Sequence, residues 1–287
     1  MKLPFVLARR FVAAENLDDT IPVVRSLNSK RLFVTLDLLG EYVSDRKIAA
    51  EATDAYVGLL MRIAEERAAS RLDANISIKL SMLGQKIDPS LCYDNLLKLL
   101  SVATEKDIFV RLDMEGSDLT DSTLSLFEKA YPQHPDHVGV VLQAYLHRTA
   151  DDIARMCELN ARVRLCKGAY KEPASIAYQD MPTIRDRFTD YMQQLIVNAR
   201  YPGIATHDDI LIAATREFVK ARDIAPNRYE FQMLYGVRPV TQEHIAADGY
   251  RMRVYVPFGT QWLPYYMRRI RERKENLWFI VKNFFRK

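Results

Sequence analysis

Eight short apolar runs rich in β-branched residues recur along this chain, and each is followed by a stretch of helical period. The runs fall at 32–36, 76–80, 108–112, 138–142, 163–166, 203–205, 229–233 and 252–256. Polar-apolar stretches at 45–69, 89–105, 151–159, 184–199, 208–222 and 241–248 lie between them. Pro89, Asp151 and Asp208 suit first-turn and N-cap positions, where a missing N–H costs nothing or a carboxylate meets orphan donors. Eight strand-helix units in this order predict an α/β fold, a (βα)8 barrel of the TIM type. At 287 residues the chain can form one large domain with a full core. We read residues 1–30 as an arm of one or two short helices. Residues 31–287 read as the barrel, with the C-terminal helix included. The sixth run, Gly203-Ile204-Ala205, is the weakest. A doubly wound open sheet is the alternative, but no glycine-rich turn follows the first run, as a dinucleotide fold requires.

The ends of the runs carry chemistry. Asp37 and Glu41, Lys79, Asp113, Gln143, Lys167, Thr206 with His207, Gln232 and Tyr255 sit at or just past the C-terminal ends, and Arg164 sits within the fifth run. A barrel gathers those ends around one mouth, where the active site of this fold lies. Gly168-Ala169 follows Lys167, and small residues there let a flat ligand approach the backbone, although a plain strand-to-helix turn has the same composition.

Close to the C-terminus, Tyr265, Arg268, Arg269 and Glu272 share one face if the segment is helical. Adjacent guanidiniums on one face clamp a planar anion, because each offers paired donors to a carboxylate. Glu272 is placed to hold one of them. A solvated basic face is the plain alternative. The helix after the eighth strand would then reach over the mouth.

The charge balance points the same way. Residues 251–287 hold ten Lys/Arg against two Asp/Glu, a net of +8, so residues 1–250 carry −4. Such a segment implies an anionic partner: a cofactor phosphate, a carboxylate substrate or a lipid head group. It lacks a nucleic-acid-binding motif, so no nucleic-acid partner is expected. Cys92, Cys157 and Cys166 form neither a disulfide framework nor a zinc pattern, which fits a reducing, cytoplasmic compartment. No apolar run reaches the ~20 residues of a membrane span, and Arg9-Arg10 interrupts the apolar start before it becomes a signal core. His134 and His137 bracket Pro135-Asp136 without a carboxylate array, so no metal site is expected. HExxH, P-loop and GxSxG patterns are absent.

Seven strings in order are more specific than any spacing: RLDMEGS (111–117), VVLQAYLHRTADD (140–152), RLCKGAYKEP (164–173), ATHDD (205–209), EFQMLYGVRP (230–239), YVPFGTQWLPYY (255–266) and MRRIRERKENL (267–277). Together they resemble the proline dehydrogenase family in its short monofunctional bacterial form, from about Arg10 onward. The resemblance implies a distorted (βα)8 barrel that binds FAD, oxidises L-proline to Δ1-pyrroline-5-carboxylate and passes electrons to a membrane quinone. It implies that Arg268 and Arg269 bind the substrate carboxylate, with Lys79 as a further cation. Asp113 would sit over the substrate amine and orient those cations. Tyr255, Leu234, Tyr170 and Tyr265 would wall the ring, and Glu272 would fix the arginine pair. Arg164 resembles the arginine near the flavin N5. Met114, Gln143, Lys167, Gly168, Ala169, Thr206 and His207 match cofactor-contact positions. Glu41 resembles the gate carboxylate that pairs with the first arginine of the pair when the site is empty. Cys166 departs from the family, where an aliphatic residue is usual.

Two other readings stay open. A flavoenzyme acting on hydroxyproline or another cyclic amino acid would show itself at Tyr255, where a ring hydroxyl would press. A non-catalytic membrane or polyanion binder would use the cationic tail alone. In that tail, Leu277, Ile280, Val281 and Phe284 would form a helical apolar stripe broadened by Trp278 and Phe285 and flanked by Lys282, Arg286 and Lys287. Packing against the barrel is the more frequent fate of such a stripe. Peripheral docking on the inner face of a membrane is the alternative.

Overall fold

The computed structural model describes residues 4–40 and 42–272. Eight parallel strands close into a barrel in sequence order, with β8 hydrogen-bonded back to β1. They are β1 (Phe33–Leu38), β2 (Ala74–Ile78), β3 (Val110–Leu112), β4 (Val138–Gln143), β5 (Arg162–Cys166), β6 (Gly203–Ala205), β7 (Glu230–Leu234) and β8 (Met252–Phe258). The helices are α1 (Leu17–Ser29), α2 (Arg46–Ser70), α3 (Pro89–Glu105), α4 (Ser117–Ala130), α5 (Thr149–Glu158), α6 (Met181–Asn198), α7 (Asp209–Ala221), α8 (Pro239–Ala247) and α9 (Trp262–Glu272).

The start signals at Pro89, Asp151 and Asp208 act where expected, Asp151 in the first turn of α5. Asp45, Asp88, Asp180 and Asp208 cap α2, α3, α6 and α7 by accepting from main-chain N–H groups of the first turn. Pro89 occupies the first turn of α3. Two of the boundaries that differ have local reasons. The second apolar run continues to Leu80, but the backbone leaves the sheet after Ile78 and turns into a short 3-10 segment, Leu80–Leu83. The third strand begins at Val110, after Asp107 turns through a left-handed conformation.

Side chains alternate along each strand. Val34 and Leu36, Ile76 and Ile78, Val110 and Leu112, Val163 and Leu165 are fully buried in the apolar shell between strands and helices. The opposite face is polar. Tyr255 of β8 donates its hydroxyl to Asp113 Oδ2 at the end of β3, 2.6 Å away. Arg164 Nη1 of β5 reaches Ser77 Oγ of β2 at 3.0 Å. These strands are not neighbours, so the bonds cross the lumen. Space inside comes from glycine. A Cβ on Gly139 of β4 would overlap the Arg162 carbonyl and the Phe109 ring, and would lie 2.7 Å from Arg111 Nη1. A Cβ on Gly203 of β6 would overlap the Gln232 amide.

α1 packs against β1 and β8. α9, which follows β8, lies over the mouth, as expected. Ala8, Phe11 and Val12 form a separate apolar cluster with Leu39, Val237 and the α9 residues Trp262, Tyr265, Tyr266 and Ile270. Two main-chain bonds, Ala13 N to Pro257 O and Gly259 N to Ala14 O, both 2.9 Å, tie this N-terminal strap to the end of β8.

The lumen contacts set a stability prediction. Gly139→Ala forces an overpacked contact and is expected to cost about 1–3 kcal/mol or more. Gly58→Ala, on an exposed face of α2 with open space around it, is expected to stabilise by about 0.5–1 kcal/mol through helix propensity. Urea midpoints of the two variants measure both, and a wild-type midpoint for Gly139→Ala would contradict the packing described.

Candidate active site

A cavity of about 600 Å³ opens at the C-terminal ends of the strands. Asp37, Lys79, Asp113, Arg164, Gln232 and Tyr255 line it from the barrel. Leu234 lines it from the end of β7, Met114, Lys167, Gly168, Ala169, Tyr170, Thr206 and His207 from the loops, and Tyr265, Arg268 and Arg269 from α9. The expected site residues therefore meet in one place, with three exceptions. Gln143 is buried but does not line the cavity; its Nε2 donates to the carbonyls of Met114 (3.3 Å) and Glu115 (3.1 Å). Glu41 and the side chain of Glu272 lie outside the described residues, as does the tail stripe at 277–285.

The barrel side of the cavity is a network of buried charges. Asp113 takes Arg164 Nη1 at 2.7 Å on one oxygen and the Tyr255 hydroxyl on the other. Lys79 Nζ meets Asp37 Oδ1 at 2.7 Å, with both side chains almost fully buried. Burial opposes the Lys79 charge, but Asp37, Tyr56 and Asp113 outweigh it, and Lys79 holds its proton more tightly than usual. Asp37 is harder to ionise than usual, because burial and the nearby Asp113 charge exceed the pull of Lys79. Burial, then the Asp113 and Asp37 charges, push the Tyr255 hydroxyl well above its ordinary value, so it stays a neutral donor. Glu115 is also raised, by burial, while it accepts from Ser81 N (3.3 Å) and Oγ (2.8 Å).

The loop residues are placed by local chemistry. His207 Nε2 accepts from Leu234 N at 2.9 Å, which makes Nδ1 the protonated ring nitrogen when the ring is neutral. Lys167 Nζ bonds Asp208 Oδ2 at 2.5 Å, and Arg185 Nε joins the same oxygen at 2.8 Å. Asp208 thus caps α7 and anchors two cations at the rim. Gly168 has φ of +120°, and a Cβ there would overlap the Tyr145 ring. Glycine is needed at that point by the turn itself. Cys166 lines the cavity, and burial pushes its thiol up to about 12, so it behaves as a small apolar group. Arg268 stands over the Tyr170 ring at 5.8 Å and Arg269 over the Tyr265 ring at 5.3 Å. His134 and His137 are engaged elsewhere, with Thr104 at 2.8 Å and Asp107 at 3.1 Å.

A mouth with clustered cations, an aromatic wall and buried carboxylates is matched by what the chain resembles. The profile of the family described as Proline dehydrogenase matches residues 20–282. The chain belongs to the proline dehydrogenase family. Proline dehydrogenase 1 of Bacillus subtilis is 39% identical over 280 residues, covering 98% of this chain and 91% of that protein. Proline dehydrogenase of Deinococcus radiodurans is 37% identical over 280 residues, covering 96% and 89%. Among solved structures, proline utilization A from Bdellovibrio bacteriovorus inactivated by N-propargylglycine superposes with a TM-score of 0.86 at 25% identity. It covers 93% of this chain, which spans 32% of that longer protein. The chain is accordingly an oxidoreductase of proline metabolism.

Sequence reading named Asp37 and Gln232 as strand-end polar groups without a role, and passed over Glu115. Its signal was present: Arg111, Asp113 and Glu115 continue one period-two face past the end of β3. Asp208 read only as a helix start.

Beneath the cavity, Glu230 accepts from Arg253 Nε at 2.7 Å, Gln232 Nε2 at 2.5 Å and the Tyr201 hydroxyl at 3.0 Å. Burial raises its carboxyl, but Arg253 and the hydrogen bonds outweigh burial and hold it at about 2. A depressed carboxylate contributes stability that is present above its unfolded value and is lost as pH falls through the folded one. The stability gap between wild type and Glu230→Gln should therefore be on the order of 3 kcal/mol above pH ~5 and shrink toward pH ~2. Denaturant unfolding at several pH values measures it, and a gap constant with pH would contradict the ionised state.

Proposed function

We propose that the chain catalyses FAD-dependent oxidation of L-proline to Δ1-pyrroline-5-carboxylate, the first step of proline breakdown toward glutamate, with a membrane quinone as final electron acceptor. The observation that carries this reading is the convergence of Lys79, Arg268 and Arg269 with Tyr170, Leu234, Tyr255 and Tyr265 on one cavity that also holds Asp113 and Arg164. Cations recognise a carboxylate, and an aromatic-aliphatic wall recognises a saturated ring.

The residues present fit a flavin. Gln143 is not part of the cavity lining, but it bonds the lining residue Met114 and leaves its own Oε1 buried without a donor among the described residues, the kind of acceptor that a cofactor N–H satisfies. Arg164, Lys167 and Arg185 supply positive charge around the same wall for an anionic, phosphate-bearing group. Met114, Gln143, Arg164, Lys167, Gly168, Ala169, Thr206 and His207 would hold it. The chemistry supplied by bound FAD is acceptance of two electrons from the ring carbon beside the proline nitrogen, as that C–N bond becomes C=N.

The protein supplies the positioning. Arg268 and Arg269 would hold the carboxylate from α9, and Lys79, kept charged by Asp37, would add a third cation. Asp113 would face the amine while orienting Arg164 and Tyr255. The four wall residues would fix the ring and exclude water. Glu272 and Glu41 would steady the arginine pair in the filled and empty site. The cationic C-terminal segment would bring the enzyme to an anionic membrane surface, where quinone is found. Among the described residues, no helix is long and apolar enough to cross a membrane.

The deciding experiment is an absorbance spectrum of purified protein before and after anaerobic addition of L-proline. A flavin spectrum that bleaches supports the reading. A colourless chain that cannot take up FAD ends it. Arg268→Met and Arg269→Met should each remove a contact worth about 2–5 kcal/mol, lowering kcat/KM for proline by roughly thirty-fold to several-thousand-fold. Near-normal efficiency in either variant would remove the clamp. Asp113→Ala should keep its flavin and slow its reduction, and stopped-flow reduction at saturating proline would expose an unchanged rate if Asp113 lay outside the reaction.

A further inference from the structure

Glu230 is 2% exposed, lies beneath the cavity and is not part of its lining, yet two hydrogen bonds join it to Arg164. Arg164 Nε donates to Gln232 Oε1 at 2.5 Å, and Gln232 Nε2 donates to Glu230 Oε1 at 2.5 Å. A guanidinium only donates and an ionised carboxylate only accepts. The amide between them therefore has one orientation that satisfies both neighbours. Glu230 itself is pinned by Arg253 and Tyr201, and Arg253 Nη1 is anchored on the Val34 carbonyl at 2.8 Å. Gly203 leaves the space that the Gln232 amide fills. At its other end Arg164 is held through Nη1 by Asp113 and Ser77.

We propose that Glu230 is a positioning residue: by fixing the Gln232 amide it fixes the Arg164 guanidinium at the cavity floor, and so sets the reduction potential of the flavin that the cavity would take up. This rests on the flavoenzyme reading given above. A fixed cation beside an electron acceptor favours the reduced, more negative form. Replacing Glu230 with leucine removes the acceptor that holds Gln232 Nε2. The amide is then free to turn its N–H groups toward Arg164, and the guanidinium loses the one Nε hydrogen bond it makes among the described residues.

The test uses the full chain loaded with FAD and measures the midpoint potential of the bound flavin. Glu230→Leu and Gln232→Leu should each weaken two-electron reduction about tenfold, a fall of about 30 mV. The double variant should fall no further, because both changes break one chain. Unchanged potentials in the single variants, or additive falls in the double, would overturn the proposal. A chain that merely lost packing would not show this coupling. If Glu230→Leu does not fold, Glu230→Leu with Arg253→Met removes both buried charges together, and the same fall is expected. A wild-type chain that takes up no FAD overturns the flavoenzyme reading and this proposal with it. A wild-type chain reduced by proline, with variants at unshifted potential, overturns the proposal alone.

Discussion

Charge placed inside a closed barrel has to be answered from within the barrel, and that requirement organises this molecule. Arg111, Arg164, Arg253 and Lys79 are all buried. Three of them find a carboxylate on or just past another strand: Arg164 on Asp113, Lys79 on Asp37, Arg253 on Glu230. Arg111 differs, bonding main-chain carbonyls of Val140 and Arg162. Burial, then the facing Arg164, Arg162 and Arg253, pull it well below its ordinary value, against Glu230. Buried ion pairs add little stability over apolar residues of the same volume. Most barrels of this kind fill the lumen with branched aliphatics. Stability alone does not account for a polar lumen. Its upper layer coincides with the cavity lining, which ties the charges to the chemistry of the mouth.

The second organising fact is where α9 goes. In a regular barrel the helix after the last strand packs on the outside, between the last strand and the first. Here α1 packs against β1 and β8. α9 is left to cover the mouth, and it is held there largely by rings: Trp262 against Phe5 and Tyr266, and Tyr266 against Phe11. Trp262 Nε1 also donates to Glu15 at 3.0 Å. The N-terminal strap therefore belongs to the mouth as much as α9 does.

How much of this was legible in the sequence depends on whether a signal is local. β-branched runs, aspartate caps and Pro89 are local, and they placed strands and helices to within a few residues. The sixth run is weak in part because it opens on Gly203, whose missing side chain leaves room for Gln232, a reason that lies on another strand. The polar members of the strands were visible as period-two interruptions such as Val110-Arg111-Leu112-Asp113. Their pairing was not. Tyr255 and Asp113 are 142 residues apart, and which lumen residues meet is fixed by strand stagger around the barrel, which no window of sequence contains. Glu115 was passed over because it follows the strand, although it keeps the strand's alternation.

The two halves of the cavity are held by different forces, and on the proposed reading that division has a purpose. Arg164 and Tyr255 stand on strands and Asp113 directly past the end of β3, and short, charge-assisted bonds join the three across the lumen, so their relative positions change only if the barrel does. Arg268 and Arg269 are half-buried on a helix that rests on an apolar, aromatic cluster. Such contacts are non-directional and tolerate small shifts. Hydride transfer needs the reacting carbon held to within fractions of an ångström, whereas a guanidinium clamp keeps its grip on a carboxylate over a wider range. The rigid half would therefore govern the reacting end of the substrate. The adjustable half would govern the carboxylate end, and entry and release would pass beneath α9.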